Sequence, residues 1–193
     1  FKLNKLMNLE QLEKENDIEV VYTRNKDVFV ELDDRATIAN KSKANIFVSM
    51  HCNANANTSA AGNETYVMGI TRNASNLEVA KKENSVVTLE DNYEIKYEGF
   101  DPNSPESVIG ISILQEEYRE LSVELAAKVQ QAFTKKTTFR NRGVKEAGFL
   151  VLRKITMPRV LIEMGFVSNK EEGAFLNSEE GQNKLAEAIA NSI

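Results

Sequence analysis

Two uninterrupted apolar runs, NIFVSM at 45–50 and RVLIEMGF at 159–166, constrain this chain more than any other feature. A strand with one wet face alternates apolar and polar residues, so runs of this kind belong to strands covered on both sides. Helical patterns lie between them. ELDDRATIANKSKA, 31–44, sets Leu32, Arg35, Ala36 and Ala39 at helical spacing, with acidic residues in its first turn and lysines in its last, as the helix dipole favours. In the segment 104–133, Ser104 can cap, Pro105 suits the first helical position, and Leu114, Tyr118, Leu121, Leu125, Val129 and Phe133 form a stripe. IEVVYTR (18–24), NETYVMG (63–69) and FLVLRK (149–154) read as further strands, Ser168 or Asn169 caps KEEGAFL, and Ser178 caps a last helix through Leu185 and Ile189. Alternating elements of this kind predict an α/β fold: a mostly parallel sheet with helices on both faces. At 193 residues and 41% hydrophobic content the chain can bury one core, so 1–193 reads as a single domain with a charged insertion at about 70–118.

In open α/β sheets, function collects at the carboxyl ends of the strands. His51, the only histidine, follows the run 45–50, and Glu163 stands inside VLIEMGF. A carboxylate in an apolar run is costly unless it is ion-paired, metal-bound or protonated, and a structural ion pair is the plain alternative to a function. Cys52 adjoins His51, but neighbours in a strand point to opposite faces, which counts against a Cys–His hydrolase. A metal site fits better: His51 would give one imidazole to zinc, and Glu163, outside the ligand set, would take a proton from water. Catalytic zinc takes about three protein ligands. The sequence offers one clear one.

The formal net charge of −5 counts against nucleic acid as a partner, because phosphate-backbone binding is driven by Lys and Arg. Lys135, Lys136, Arg140, Arg142 and Lys145 form a short basic stretch that reads as a solvated loop, with substrate contact the lesser alternative. One cysteine forms no internal disulfide, and no run of 18 apolar residues is long enough to span a membrane. FKLNKLMNLEQLEKEN at the start reads as the later part of a helix, which leads us to expect a fragment or processed form.

TRNKDVFVELDDRATIANKSKANIFVSMHCNAN resembles the TR-x-x-D…L-x-x-R-x-x-x-A-N…F-i-S-i-H-a-N-a block of the zinc-dependent N-acetylmuramoyl-L-alanine amidases of the amidase_3 family. RGVKEAGFLVLRKITMPRVLIEMGFVSNKEEGAFLNSEEGQNKLAEAIANSI resembles that family's C-terminal half. The resemblance implies an α/β sandwich, His51 as a zinc ligand and Glu163 as the catalytic glutamate. It also implies a G-H-G-G histidine and a helix-start glutamate as further ligands, which we expect upstream of Phe1, since Glu10 and Glu13 fall too late in the first segment to replace the glutamate. The implied reaction is hydrolysis of the amide between N-acetylmuramic acid and L-alanine in peptidoglycan, in the periplasm or cell envelope of a secreted protein.

Some relatives carry an inhibitory segment where this chain has its insertion, with a carboxylate that blocks the zinc until an activator protein displaces it. The resemblance therefore implies a blocking residue among Glu90, Asp91, Glu94, Glu98 and Glu106, against the plain reading of a solvated loop. Arg35 and Asn40 read as supports between helix and sheet. The rival functions are a noncatalytic peptidoglycan-binding or regulatory module without zinc, and a generic zinc peptidase.

Overall fold

The computed structural model describes residues 18–71, 73–101, 103–111 and 117–193. The first seventeen residues and Leu114 lie outside the described residues. The chain order is α1 (Leu32–Ser42), β1 (Phe47–Asn53), β2 (Asn63–Met68), α2 (Ala74–Asn84), a 3-10 turn (Ser85–Leu89), α3 (Tyr93–Lys96), α4 (Pro105–Ile111), α5 (Arg119–Lys136), β3 (Asn141–Ala147), α6 (Leu150–Arg153), β4 (Arg159–Phe166), α7 (Lys170–Leu176) and α8 (Glu179–Ala190).

The four strands form one sheet in the order β1-β4-β2-β3. β1 with β4 and β2 with β3 are parallel, whereas β2 with β4 is antiparallel, so the sheet is mostly parallel, as expected. Every residue of β2 and β4 is buried, because helices cover both faces. Leu161, Tyr66, Met68 and Phe47 pack with α1 and α6 on one face; Val67, Val160, Ile162 and Met164 pack with α5 and α8 on the other. The alternation along β4 therefore puts Glu163 on the α1 face, with Leu161.

Several elements depart from the sequence expectation. The segment 18–24 is irregular, with Val21 and Tyr22 exposed, because β-branched content makes a strand only where a ladder partner is at hand and no described strand pairs with it. Phe149–Leu152, read as a strand, is a buried helical turn instead. Asn84 decides its shape: its side chain accepts from the Leu150 N–H and donates to the Gly148 carbonyl. The neighbouring strand is β3, inside the basic stretch that reads as a loop. The helix expected at 104–133 is divided into α4 and α5, and Leu121 of its stripe is exposed, while Leu125, Val129 and Phe133 are buried.

Capping follows the sequence closely. Asn169 accepts from the N–H groups of Glu171 and Glu172, and Ser178 from that of Gly181. Asn40 bridges α1 to the segment before β4: it donates to the Lys154 carbonyl and accepts from Thr156. Arg35 donates to the Val30 carbonyl. The described residues between 70 and 118 are folded rather than loop-like: Ala80, Val87, Tyr97, Phe100 and Val108 are buried in the α1-face cluster.

Candidate metal and catalytic site

His51 and Glu163 occupy the same register on adjacent parallel strands, His51 on β1 and Glu163 on β4. Parallel neighbours in register project to one face, so the ladder brings together two residues far apart in sequence. Cys52 turns to the opposite face and packs with the α5 and α8 cluster. Burial pushes its thiol up to about 12, a value at which it is no nucleophile.

α2 adds a third group. Asn76, Ala80 and Asn84 form its buried stripe, and Glu83, three residues past Ala80, follows that stripe inward. Its Oε2 lies 2.6 Å from His51 Nδ1, while His51 Nε2 lies 2.9 Å from Ser49 Oγ. Glu83 accepts from the Nδ1–H, and Nε2 shares a hydrogen bond with the Ser49 hydroxyl. Burial alone would raise the Glu83 pKa, but the hydrogen bond and charge of His51 outweigh it and hold the carboxyl below its usual range.

Glu163 is fully buried, and neither of its side-chain oxygens has a hydrogen-bond partner among the described residues. Burial raises its pKa well above the ordinary value; Glu83 and Glu64 raise it further, against a smaller opposing effect of Lys82. One ligand atom from each of His51, Glu83 and Glu163 lies within 4.8 Å of the others. An imidazole nitrogen and a carboxylate, with a second carboxylate close by, suit a divalent cation with nitrogen and oxygen ligands, zinc included. A cation would supply the countercharge that Glu163 lacks.

Glu64, next along the sheet, is paired with Glu163 across β2 and β4. It is also buried, but its carboxylate accepts from Arg142, Lys145, Asn53 and Tyr66. Burial would raise its pKa; Lys145 and Arg142 reverse that and keep it ionised.

The structure thus brings His51 and Glu163 together, as expected, and adds Glu83, which the sequence reading passed over. A helical stripe of Asn76, Ala80 and Asn84 was the available signal, obscured because the segment reads as a charged insertion. None of the five acidic residues expected to reach the metal position does so. Glu90 instead caps α1, accepting from the Leu32 N–H and from the Tyr97 hydroxyl, two hydrogen bonds that offset the cost of its burial. Glu106 accepts from Ser104, and Asp91, Glu94 and Glu98 are exposed.

Residues 1–193 match the sequence profile of the Amidase_3 family, described as N-acetylmuramoyl-L-alanine amidase. The chain is 31% identical to the uncharacterized protein YqiI of Bacillus subtilis, over 93% of this chain and 65% of YqiI. It is 27% identical to the N-acetylmuramoyl-L-alanine amidase AmiC of Escherichia coli O6:H1, over 94% of this chain and 43% of AmiC. It thus spans less than two thirds of the length of either relative. The crystal structure of an N-acetylmuramoyl-L-alanine amidase from Clostridium difficile 630 superposes with a TM-score of 0.66 at 30% identity, covering 97% of this chain and 75% of that one.

Proposed function

This chain belongs to the Amidase_3 family of N-acetylmuramoyl-L-alanine amidases, and on that premise we propose that its site hydrolyses the amide between N-acetylmuramic acid and L-alanine in peptidoglycan, with zinc as cofactor. The observation that carries the reading is the convergence of His51, Glu83 and Glu163, in which a buried carboxyl group has no partner. Buried carboxyls without partners are rare in folded proteins and mark sites completed by something else.

His51 and Glu83 would hold the cation. Zinc, when bound, would supply Lewis acidity, lowering the pKa of a water toward about 7 and polarising the amide carbonyl. Glu163 is the proton carrier: it takes a proton from the attacking water and returns it to the departing amine, so that the C–N bond breaks to a lactyl carboxylate and the free amino group of L-alanine. Ser49 fixes the His51 ring through Nε2.

Glu83 also deepens the reading of the insertion. It comes from α2, within residues 70–118, and its carboxylate stands against His51, so we assign it a blocking role as well: on the cation it would occupy a position that an activator protein clears for water. The proposed substrate implies a location in the cell envelope. Among the described residues, no helix is long and apolar enough to cross a membrane.

Incubation of the zinc-loaded protein with purified muropeptides, read by mass spectrometry, tests the reading. The expected product is a stem peptide beginning with a free L-alanine. A cut inside the stem would identify a peptidase, and binding without cleavage a noncatalytic module.

A further inference from the structure

Beside the acidic pair Glu163 and Glu64, β3 carries a feature that the hydrolytic chemistry leaves unused. Arg142 and Lys145 are three residues apart, and in a regular strand such residues point to opposite faces. Here both reach the Glu64 carboxylate, Arg142 Nε at 2.6 Å. The reason lies in the ladder. Asn63 pairs with Asn141 and Thr65 with Val144, so between these pairs two residues of β3, Arg142 and Gly143, stand opposite one of β2, Glu64. That is a β-bulge, centred on Gly143 at φ 83°. Space does not demand the glycine, since an added Cβ would meet nothing within 4 Å; the left-handed backbone does. Bulges of this kind re-aim side chains, and this one gathers two cations on the face of the sheet that bears His51 and Glu163.

The charges do not cancel. Glu64 carries one negative charge, and its two oxygens already accept from Asn53 and Tyr66 as well as from the two cations. Arg142 and Lys145 bring two positive charges, and aromatic faces seat both: the Arg142 guanidinium lies 5.3 Å from the Phe166 ring centre and Lys145 Nζ 5.7 Å from that of Tyr66. Their side chains stay 25% and 18% exposed, so the cluster presents a net positive end to solvent on the site's own face. Glu64 is next to Glu163 across the ladder, which sets these cations on the strand one further along the sheet from Glu163 and Glu64.

We propose that Arg142 and Lys145 form a subsite for a carboxylate of the peptide stem, the group one residue beyond the L-alanine whose amide is cut. The proposal rests on the hydrolase reading for the identity of the substrate. In peptidoglycan stems that residue is a glutamate linked through its side chain, and its α-carboxyl group is either free or amidated. An ammonium and a guanidinium, each with N–H groups not used by Glu64, distinguish those two forms as charge-assisted donors do.

Two stems test it, N-acetylmuramoyl-L-alanyl-γ-D-glutamyl-L-lysine amide with the glutamate α-carboxyl free and with it amidated, titrated against the full chain by calorimetry. The expected result is about tenfold tighter binding of the free acid, and loss of that preference in Lys145→Met with affinity for the amidated stem unchanged. Lys145→Arg, which keeps the charge, retains the preference and controls for folding, with Arg142 still holding Glu64 in both variants. Equal affinity of the wild type for the two stems overturns the subsite, whatever the protein cleaves. Preference for the free acid without cleavage of either stem leaves the subsite standing and removes the hydrolase reading instead.

Discussion

Glu64 and Glu163 pair across β2 and β4, both buried, and one has four hydrogen-bond partners where the other has none. The same residue type in the same layer is thus shifted in opposite directions by its neighbours. Two cations hold the Glu64 carboxyl below its usual range, and that anion, with burial and Glu83, pushes the Glu163 carboxyl above it against a smaller effect of Lys82.

That difference predicts a pH dependence. A carboxyl whose pKa is raised on folding favours the folded state most at low pH, and the advantage is lost as pH rises from the ordinary value of 4.5 toward the raised one. Metal-free Glu163→Gln, which stays neutral, therefore melts with the wild type in acid and at a higher temperature above neutral pH. Thermal scans across that range check it, and a variant less stable than the wild type at neutral pH would contradict the unpaired state of Glu163.

Glu64 has the opposite sign. Its folded pKa is depressed, so its contribution is present above the ordinary carboxyl range and is lost as pH falls through the folded value. Glu64→Gln removes the anion and leaves Arg142 and Lys145 facing a neutral amide, at a cost of about 3 kcal/mol, near the low end for breaking a buried pair. Denaturant titration measures this, and the gap to wild type should narrow in acid.

Gly143→Ala tests the bulge. With open space around the position, the cost comes from the backbone alone, about 1–2 kcal/mol for a left-handed non-glycine residue. The stability loss should accompany a weaker preference for the acidic stem, and a variant as stable as wild type would show that β3 does not need the turn.

Glu83→Gln separates holding the cation from blocking the site. The substitution weakens zinc binding, and if the carboxylate also occludes the site, turnover at saturating zinc rises. Lower turnover at full zinc occupancy would rule out the blocking role. A point substitution serves better than deletion of the insertion, because Ala80, Val87, Tyr97 and Phe100 are part of the core. In parallel, Glu163→Gln lowers turnover by roughly 10²–10⁴ without releasing zinc, the range for loss of a general base.

The buried strands were legible in the sequence because continuous apolar runs admit few other placements, and His51 and Glu163 were legible because they sit on those runs. β3 was not: its period is broken at Gly143 by the bulge, and the charges of Arg142, Lys145 and Glu146 suggested solvent. Phe149–Leu152 misled in the reverse direction, since apolar content signals burial without specifying strand or turn. There Asn84, 66 residues away in sequence, makes the choice. Glu83 was hidden for the same reason: its meaning depends on where α2 docks, a tertiary fact that local periodicity does not carry.

Zinc per chain after equilibrium dialysis, measured for the wild type and His51→Ala side by side, bears most directly on the site. The account predicts one zinc on the wild type and none on the variant, with both chains equally folded. A wild type that stays metal-free, or a variant that binds as much, would contradict it.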